Sequence, residues 1–344
     1  MKAPIPYLRE IGYQRCMITP PPAEWAPHKA IWTAWPFAPE EWGDALAQAR
    51  VDIAAMVRVL HEAGDERVCV LVNGAEAMAT ARAALGETAT LVPAGYGDVW
   101  LRDTGPIFTG DGRAVLFRFN GWGGKYVMPG DELVGGLVAS QAGADIIRQP
   151  FVLEGGGIEM DGEGTLLTTR QCLLNPNRNA GWDAEKAELA LIGALGVEKV
   201  LWLEEGLAND HTDGHIDNLA RFVAPGRVVV QAASGDDDPN ADVLEEIALT
   251  LAAMKDARGR KLDVVRISSP GLVLNDAGVA MPASHMNFLI ANSAVVVPTY
   301  NALGEAAVEA LAPLFPGRQV IGVPSMGLLA GGGSFHCITQ QEPK

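Results

Sequence analysis

A strand–strand–helix–strand pattern recurs along the chain, and no other feature restricts its fold as much. Short apolar runs flank tight-turn residues four times: Pro106–Phe108 and Ala114–Asn120, Gly157–Met160 and Thr165–Thr169, Asn218–Val223 and Arg227–Ala232, Asn287–Ile290 and Ala294–Thr299. The Gly, Asp and Asn residues between them accept the backbone angles of tight turns, so each pair reads as a β-hairpin. A helical pattern follows each hairpin, over Asp131–Ala142, Asp183–Leu195, Asn240–Lys255 and Gly304–Phe315, with apolar residues three and four apart on one face. A short strand closes each unit, over Asp145–Gln149, Lys199–Leu203, Leu262–Ile267 and Gln319–Val323.

A fifth copy is divided between the two ends. Ile31–Pro36 is its outgoing strand, Asp44–Ala63 its helix and Val68–Val72 its closing strand; its missing first strand is expected at Ser334–Gln340. The sequence therefore predicts an α/β fold of five ββαβ units, a propeller closed by pairing the terminal strands, as one catalytic domain over residues 1–344. Ala75–Leu85 reads as an extra helix. The competing fold is an ordinary three-layer α/β sheet. The ring explains better why a chemically active side chain lies at each incoming strand: Asp103, Glu154, His215 with Asp217, His285 with Asn287, and His336 with Cys337. A ring would bring these together on its axis.

Lys+Arg number 26 and Asp+Glu 42, a net charge of −16. Such a field repels polyanions and attracts cations, which argues against nucleic acid and for a small cationic substrate. No apolar run reaches the roughly 18–20 residues of a membrane helix, and the first residues lack the apolar stretch of a secretory signal. Cys16, Cys69, Cys172 and Cys337 are scattered, so free thiols in a reducing cytoplasm are expected. The sequence does not fix the oligomeric state; acidic enzymes of this size often form dimers, so a homodimer is a candidate assembly.

Cys337 follows Gly331-Gly332-Gly333-Ser334-Phe335-His336, where bare backbone lets a ligand approach closely. A thiol there is a candidate nucleophile; a lone Cys is more often a small buried apolar group. Asp210–Asn218 holds two His and three Asp. His211 and His215 have the spacing of zinc ligands on a helix, but Gly214 and the short polar residues disfavour a helix. In the acid–base alternative, Asp217 orients His215 from the same face of an extended strand. Asp103 and Glu154 stand beside turns, where a carboxylate is usually a cap or a surface ion-pair partner.

Taken together, Pro22–His28, Trp100–Pro106, Asn120–Tyr126, Glu154–Gly157, Gly214–Asn218, Pro282–Ser284 with Asn287-Phe288, and Gly331–Gln341 resemble the agmatine deiminase branch of the guanidino-group-modifying, pentein-fold enzymes. The resemblance runs in family order over almost the whole chain. It implies the five-unit propeller, with Cys337 as nucleophile, His215 as general acid/base, and Asp103, Glu154 and Asp217 as carboxylates around a guanidinium. Trp100, Trp122, Gly332 and Gly333 would line the pocket, and no metal or organic cofactor is implied. His211 is a departure, because many agmatine-type members carry an acidic residue at its place. The implied reaction is hydrolysis of agmatine to N-carbamoylputrescine and ammonia. Rival readings are an arginine or peptidyl-arginine deiminase, a silent polyamine- or partner-binding protein, and a metal-dependent hydrolase.

Overall fold

The structure, a computed structural model, describes residues 18–344; Cys16 and the first residues of the expected domain lie outside the described part. It is a mixed α/β fold in which the described strands form five small sheets. Four have three strands and one internal plan. Ile107–Phe108 pairs antiparallel with Ala114–Arg118, which pairs parallel with Ile146–Val152. The same order recurs in Ile158–Met160, Thr165–Thr169 and Lys199–Leu203, in Ala220–Ala224, Arg227–Ala232 and Asp263–Ser268, and in Leu289–Ile290, Ala294–Thr299 and Gln319–Pro324. In the fourth of these the middle strand is buried almost throughout, as a strand covered on both faces must be.

Each parallel step is bridged by a helix, over Asp131–Gln141, Ala184–Leu195, Ala241–Ala253 and Leu303–Leu311. The second shows why these segments are helical. Asp183 caps it by accepting from the Lys186 N–H at 2.9 Å, Gly196 ends it at a φ of 70°, and Ala187, Leu191, Ala194 and Leu195 form its buried stripe.

The last sheet joins the two ends. His28–Ala34 pairs antiparallel with Gln340–Pro343 and parallel with Val68–Val72, across the helix Leu46–Glu62. The extra helix Ala75–Leu85 leads to a fourth strand, Thr90–Pro93, which the sequence pattern did not reveal. Two expectations need correcting. The terminal strand is Gln340–Pro343, not Ser334–Gln340. Residues 334–339 form turns, with Ile338 N–H donating to Ser334 O at 3.2 Å and the Thr339 hydroxyl to Phe335 O at 2.8 Å. Nor is 215–218 extended: Ile216–Asn218 is a 3-10 turn, and the strand begins at Ala220.

One helix side chain reaches directly towards the glycine loop. Asp52, on Leu46–Glu62, accepts the backbone N–H groups of Gly327 and Leu328 at 2.7 and 3.2 Å. It thereby caps the turn Met326–Leu329 that opens into Gly331–Gly333. Asp52→Ala should cost about 1–2 kcal/mol, as for other lost caps, and lower the melting temperature by roughly 2–5 °C in thermal denaturation followed by circular dichroism.

Candidate active site

A cavity of about 190 Å³ opens beside the glycine loop. Of the residues singled out in the sequence, Trp100, Asp103, Trp122, His211, Gly332, Gly333 and Cys337 line it. Gly331 and Gly333 let the aromatic wall approach. A Cβ on Gly333 would lie 2.6 Å from Trp100 and 3.1 Å from the Cys337 Cβ, and one on Gly331 would meet Trp42 and Trp100 within 3 Å. The two indoles stack at 5.9 Å and share an acceptor: Trp42 and Trp100 donate to the two oxygens of Asp98, at 3.0 and 2.7 Å. Trp122 adopts a φ of 53°, strained for an aromatic residue, between three glycines of positive φ. In that position its indole donates to Asp103 Oδ2 at 2.9 Å.

Glu154, His215 and Asp217 lie just beneath the lining, all buried. They meet Asp103 around Gly156, where a Cβ would come within 2.6 Å of His215 Nδ1, 2.9 Å of Asp103 Oδ1 and 3.2 Å of Asp217 Oδ2. Only bare backbone fits there, and the Gly156 N–H donates to Asp103 Oδ1 at 2.9 Å. Burial pushes Asp103 above the usual carboxyl range, assisted by Asp217 and Glu154 and opposed by His215. Burial works against a charged His215, but Asp103, Cys172 and Glu154 prevail and raise its pKa well above the ordinary value. Both its ring nitrogens are buried without a hydrogen-bond partner, and the nearest ion-pair partner of Nδ1 is Asp103 Oδ1, at 3.8 Å.

Asp217 does not orient His215 as the sequence suggested. The 3-10 turn carries its carboxylate to His336 Nδ1, at 2.8 Å, and to the Cys337 sulfur, at 3.5 Å. Burial opposes ionisation of Asp217, but the His336 hydrogen bond holds its carboxyl below the usual range. Cys337 is pushed well up, by burial first and then by Asp217 and Asp103; a backbone N–H and Asn287 act in the opposite sense.

Glu154 also differs from expectation. Its Oε1 is engaged by Arg178 Nε at 2.7 Å, and Arg178 in turn binds Asp213, at 2.6 Å, and Thr212 O. Among the described residues, the one group with metal-ligand geometry is Glu154, Cys172 and His215, whose donor atoms lie within 4.8 Å of one another. The Arg178 guanidinium already supplies a positive charge against its carboxylate, so the set does not favour a cation. His211 lies at the mouth, stacked on Tyr126 at 5.8 Å, with Nδ1 2.9 Å from the Tyr126 hydroxyl. Lys125 ties the same loops together, donating to His211 O at 2.8 Å and to Asp213 at 2.5 Å. His285 lies apart from the cavity, bonded to Ser268 O at 2.9 Å and stacked on Tyr300.

Several neighbours carried no clear sequence signal. Arg178 and Asp98 stand in unremarkable local contexts. Glu24 lies in a matched motif, yet only the fold takes it to His336 Nε2, at 2.9 Å, and to Arg221. Asn287 was marked by its place at an incoming strand and in a matched motif, but was given no role; it contacts the Cys337 sulfur at 2.9 Å.

The family model for Porphyromonas-type peptidyl-arginine deiminase matches residues 21–343. The agmatine deiminase of Stutzerimonas stutzeri is 38% identical, over 94% of this chain and 95% of its own. Among solved structures, the agmatine deiminase of Enterococcus faecalis superposes with a TM-score of 0.88 at 32% identity, covering 98% of this chain and 97% of that one. A cysteine-to-serine variant of C. jejuni agmatine deiminase with substrate bound superposes with a TM-score of 0.86 at 26% identity, over 95% and 97% of the two chains. A family match across nearly all of the described residues, with relatives aligned almost end to end, places this chain in the Porphyromonas-type peptidyl-arginine deiminase family.

Proposed function

We propose that the protein hydrolyses the guanidino group of agmatine, giving N-carbamoylputrescine and ammonia, through a covalent intermediate on Cys337. The observation that carries this is a buried thiol 3.5 Å from one carboxylate, with a second carboxylate and an imidazole packed against the first. A guanidinium is a flat cation rich in N–H donors, and carboxylates grip its edge with charge-assisted hydrogen bonds. Asp103 and Asp217 are placed for that grip, and the Trp100 and Trp122 rings confine the plane. Glu154 keeps His215 in an anionic setting while Arg178 holds it in place.

Once bound, the substrate cation offsets the two carboxylates that keep Cys337 protonated, so the thiol gives up its proton to solvent and the sulfur ionises beside the carbon it attacks. Thiolate adds to the guanidinium carbon. His215, charged below its raised pKa, donates a proton to the departing nitrogen, and ammonia leaves an amidino-thioether. The neutral imidazole then takes a proton from water, the resulting hydroxide adds to the same carbon, the C–S bond breaks with the hydroxyl proton passing to the departing sulfur, and the ureido product leaves.

The same reading takes the five sheets as five propeller units around a pseudo-fivefold axis, within one catalytic domain. Its support is the repeated antiparallel-then-parallel plan and the pairing of Gln340–Pro343 with His28–Ala34. A reducing cytoplasm suits a mechanism that needs a free thiol, and Cys69, Cys172 and Cys337 are all unpaired. No helix among the described residues is long and apolar enough to cross a membrane.

Agmatine is preferred to arginine on charge. Among the described residues, the cavity lining includes Glu41, Asp98 and Asp103 but no Lys or Arg to receive an α-carboxylate. Leaving that carboxylate unpaired should make kcat/KM for free arginine at least roughly 10-fold lower than for agmatine, in parallel ammonia-release assays. Equal rates on the two would remove the preference.

Cys337→Ala and Cys337→Ser should abolish ammonia release, and mass spectrometry of quenched wild-type turnover should find the amidino adduct on the Cys337 peptide. Near-normal turnover in either variant would refute the covalent route. The pH profile offers a separate check. Asp103 raises the pKa of both His215 and Cys337, so Asp103→Asn removes an anion that favoured the protonated form of each. Both limbs of the kcat/KM profile should therefore move to lower pH. A shift of either limb to higher pH would contradict the assignment.

A further inference from the structure

Glu154 and Asp217, two buried acids of the site, are each met by a basic side chain, Arg178 and His336. Asp98 lines the same cavity and is also buried, but the groups on its oxygens are uncharged. Its Oδ1 accepts the Trp42 indole N–H at 3.0 Å and the Val99 backbone N–H at 2.8 Å, and its Oδ2 accepts the Trp100 indole N–H at 2.7 Å. Three donors on two oxygens suit an ionised carboxylate, which only accepts. The backbone that carries it is fixed in turn by Asp131, whose Oδ1 accepts the N–H groups of Gly97 and Asp98 at 2.8 and 3.1 Å.

Trp100 spans the gap between this carboxylate and the nucleophile. Its Cζ3 faces the bare backbone of Gly333, where a Cβ would lie 2.6 Å from that atom and 3.2 Å from Cys337 Sγ. Cζ3 stands across the ring from the carbon that bears Nε1, so the edge held by Asp98 is the one remote from the sulfur. Trp42 stacks on Trp100 with the planes 19° apart and widens the aromatic wall. A chain leaving a guanidinium at Cys337 has this wall beside it, with Asp98 at the wall's far edge.

We infer that Asp98 is the residue that gives the cavity its preference for a substrate with a cationic tail, acting through the two indoles that it holds. This rests on the reading of the cavity as an agmatine site and assigns its tail preference to one side chain. A carboxylate that accepts an indole N–H pushes electron density into the ring, and a richer ring face attracts a cation more strongly. The charge of Asp98, withdrawn from bulk water, adds a field that salt and solvent screen little. Burial pushes its pKa up from the ordinary carboxyl value; the bonds from Val99, Trp42 and Trp100 oppose this, and Glu41 adds a smaller push. An arriving ammonium acts with the three bonds and favours the charged form. Glu41 also lies in the lining, but it is exposed, so water screens its charge.

Pentylguanidine is agmatine with the ammonium replaced by a methyl group, so the ratio of kcat/KM for the two compounds isolates the tail. The wild type should favour agmatine in ammonia-release assays. Asp98→Asn removes the charge and keeps an acceptor for the indoles; the ratio should fall roughly 3- to 30-fold. Glu41→Gln should lower it less. A merely structural part for Asp98 would misplace Trp100 beside the guanidino group, which both compounds share, and would lower both rates with the ratio intact.

An unchanged ratio in Asp98→Asn, shown to be folded by circular dichroism, overturns the inference, as does a larger fall in Glu41→Gln. Salt provides a reading on the wild type whether or not the variant folds. A ratio set by a buried carboxylate should survive a rise to about 0.5 M NaCl, and its collapse to near equality would overturn the inference. Release of ammonia from neither compound would remove the proposed function itself, whereas turnover of both by the wild type with no preference for agmatine removes only the role of Asp98.

Discussion

Asp103 and Asp217 place negative charge around a thiol that must itself become negative before it can react. In a buried space, where charges are screened far less than in water, such crowding is severe. It favours the protonated form of the sulfur, and the field of Asp103 favours the charged form of the His215 imidazole. A flat cation entering the cavity relieves both carboxylates at once. On the proposed mechanism, the contacts that select a guanidinium are therefore those that release the thiolate. A neutral molecule of the same shape would neither be gripped nor switch on the sulfur. Water would leave the carboxylates hydrated and the thiol protonated, which limits idle chemistry at Cys337.

Such a concentration of anions survives folding only if the layer behind it is compensated. Glu24 accepts the Ile290 N–H at 2.7 Å and binds both Arg221 and His336; Arg221 Nε reaches Glu159 at 3.0 Å; His336 returns to Asp217 at 2.8 Å. Burial opposes the charge on Glu24, yet Arg221 and His336 hold its carboxyl well below the usual range. Buried charges are tolerated when paired, and removal of one partner strands the rest. The lattice joins residues from the start, middle and end of the chain. It thereby ties the loop of Cys337 to the strand of Arg221 and the turn of Asp217, and fixes the sulfur against the carboxylate that controls it.

The parts of the fold that were legible in the sequence are those set by local physics. Turn residues marked four hairpins, and periods of three and four marked the helices between them. The two misread segments fail for local reasons that periodicity does not register. Residues 334–337 alternate in polarity like a strand, but the Ser334 carbonyl and the Thr339 hydroxyl close turns within the segment 334–339. At His215 the two-residue spacing to Asp217 assumed extended backbone, whereas Gly214, at a φ of 84°, leads into a 3-10 turn that directs the Asp217 carboxylate to His336. The residues lining the cavity were largely found, because Cys337, Asp103 and the glycines stand in unusual local contexts. Their partners were not. That Arg178 engages Glu154, that His336 takes Asp217 and that Asn287 meets the Cys337 sulfur are products of tertiary packing, and nothing in the flanking sequence encodes them.

The mouth of the cavity extends the same electrostatic logic to the far end of the substrate. Lys125 is close enough to tempt a carboxylate, but its ammonium is already held by Asp213 and by the His211 carbonyl. His211 offers an aromatic face stacked on Tyr126 where an acidic group was expected, and the remaining charges in the lining, on Glu41, Asp98 and Asp103, are acidic. An ammonium tail would therefore meet aromatic surface and a negative field, and needs no dedicated partner to be retained. A carboxylate tail would meet the same field with the opposite sign and find no free cation among the described residues of the lining. On the proposed reading, discrimination between the two tails follows from the summed charge of the cavity, so the absence of an acid at position 211 does not by itself reverse it.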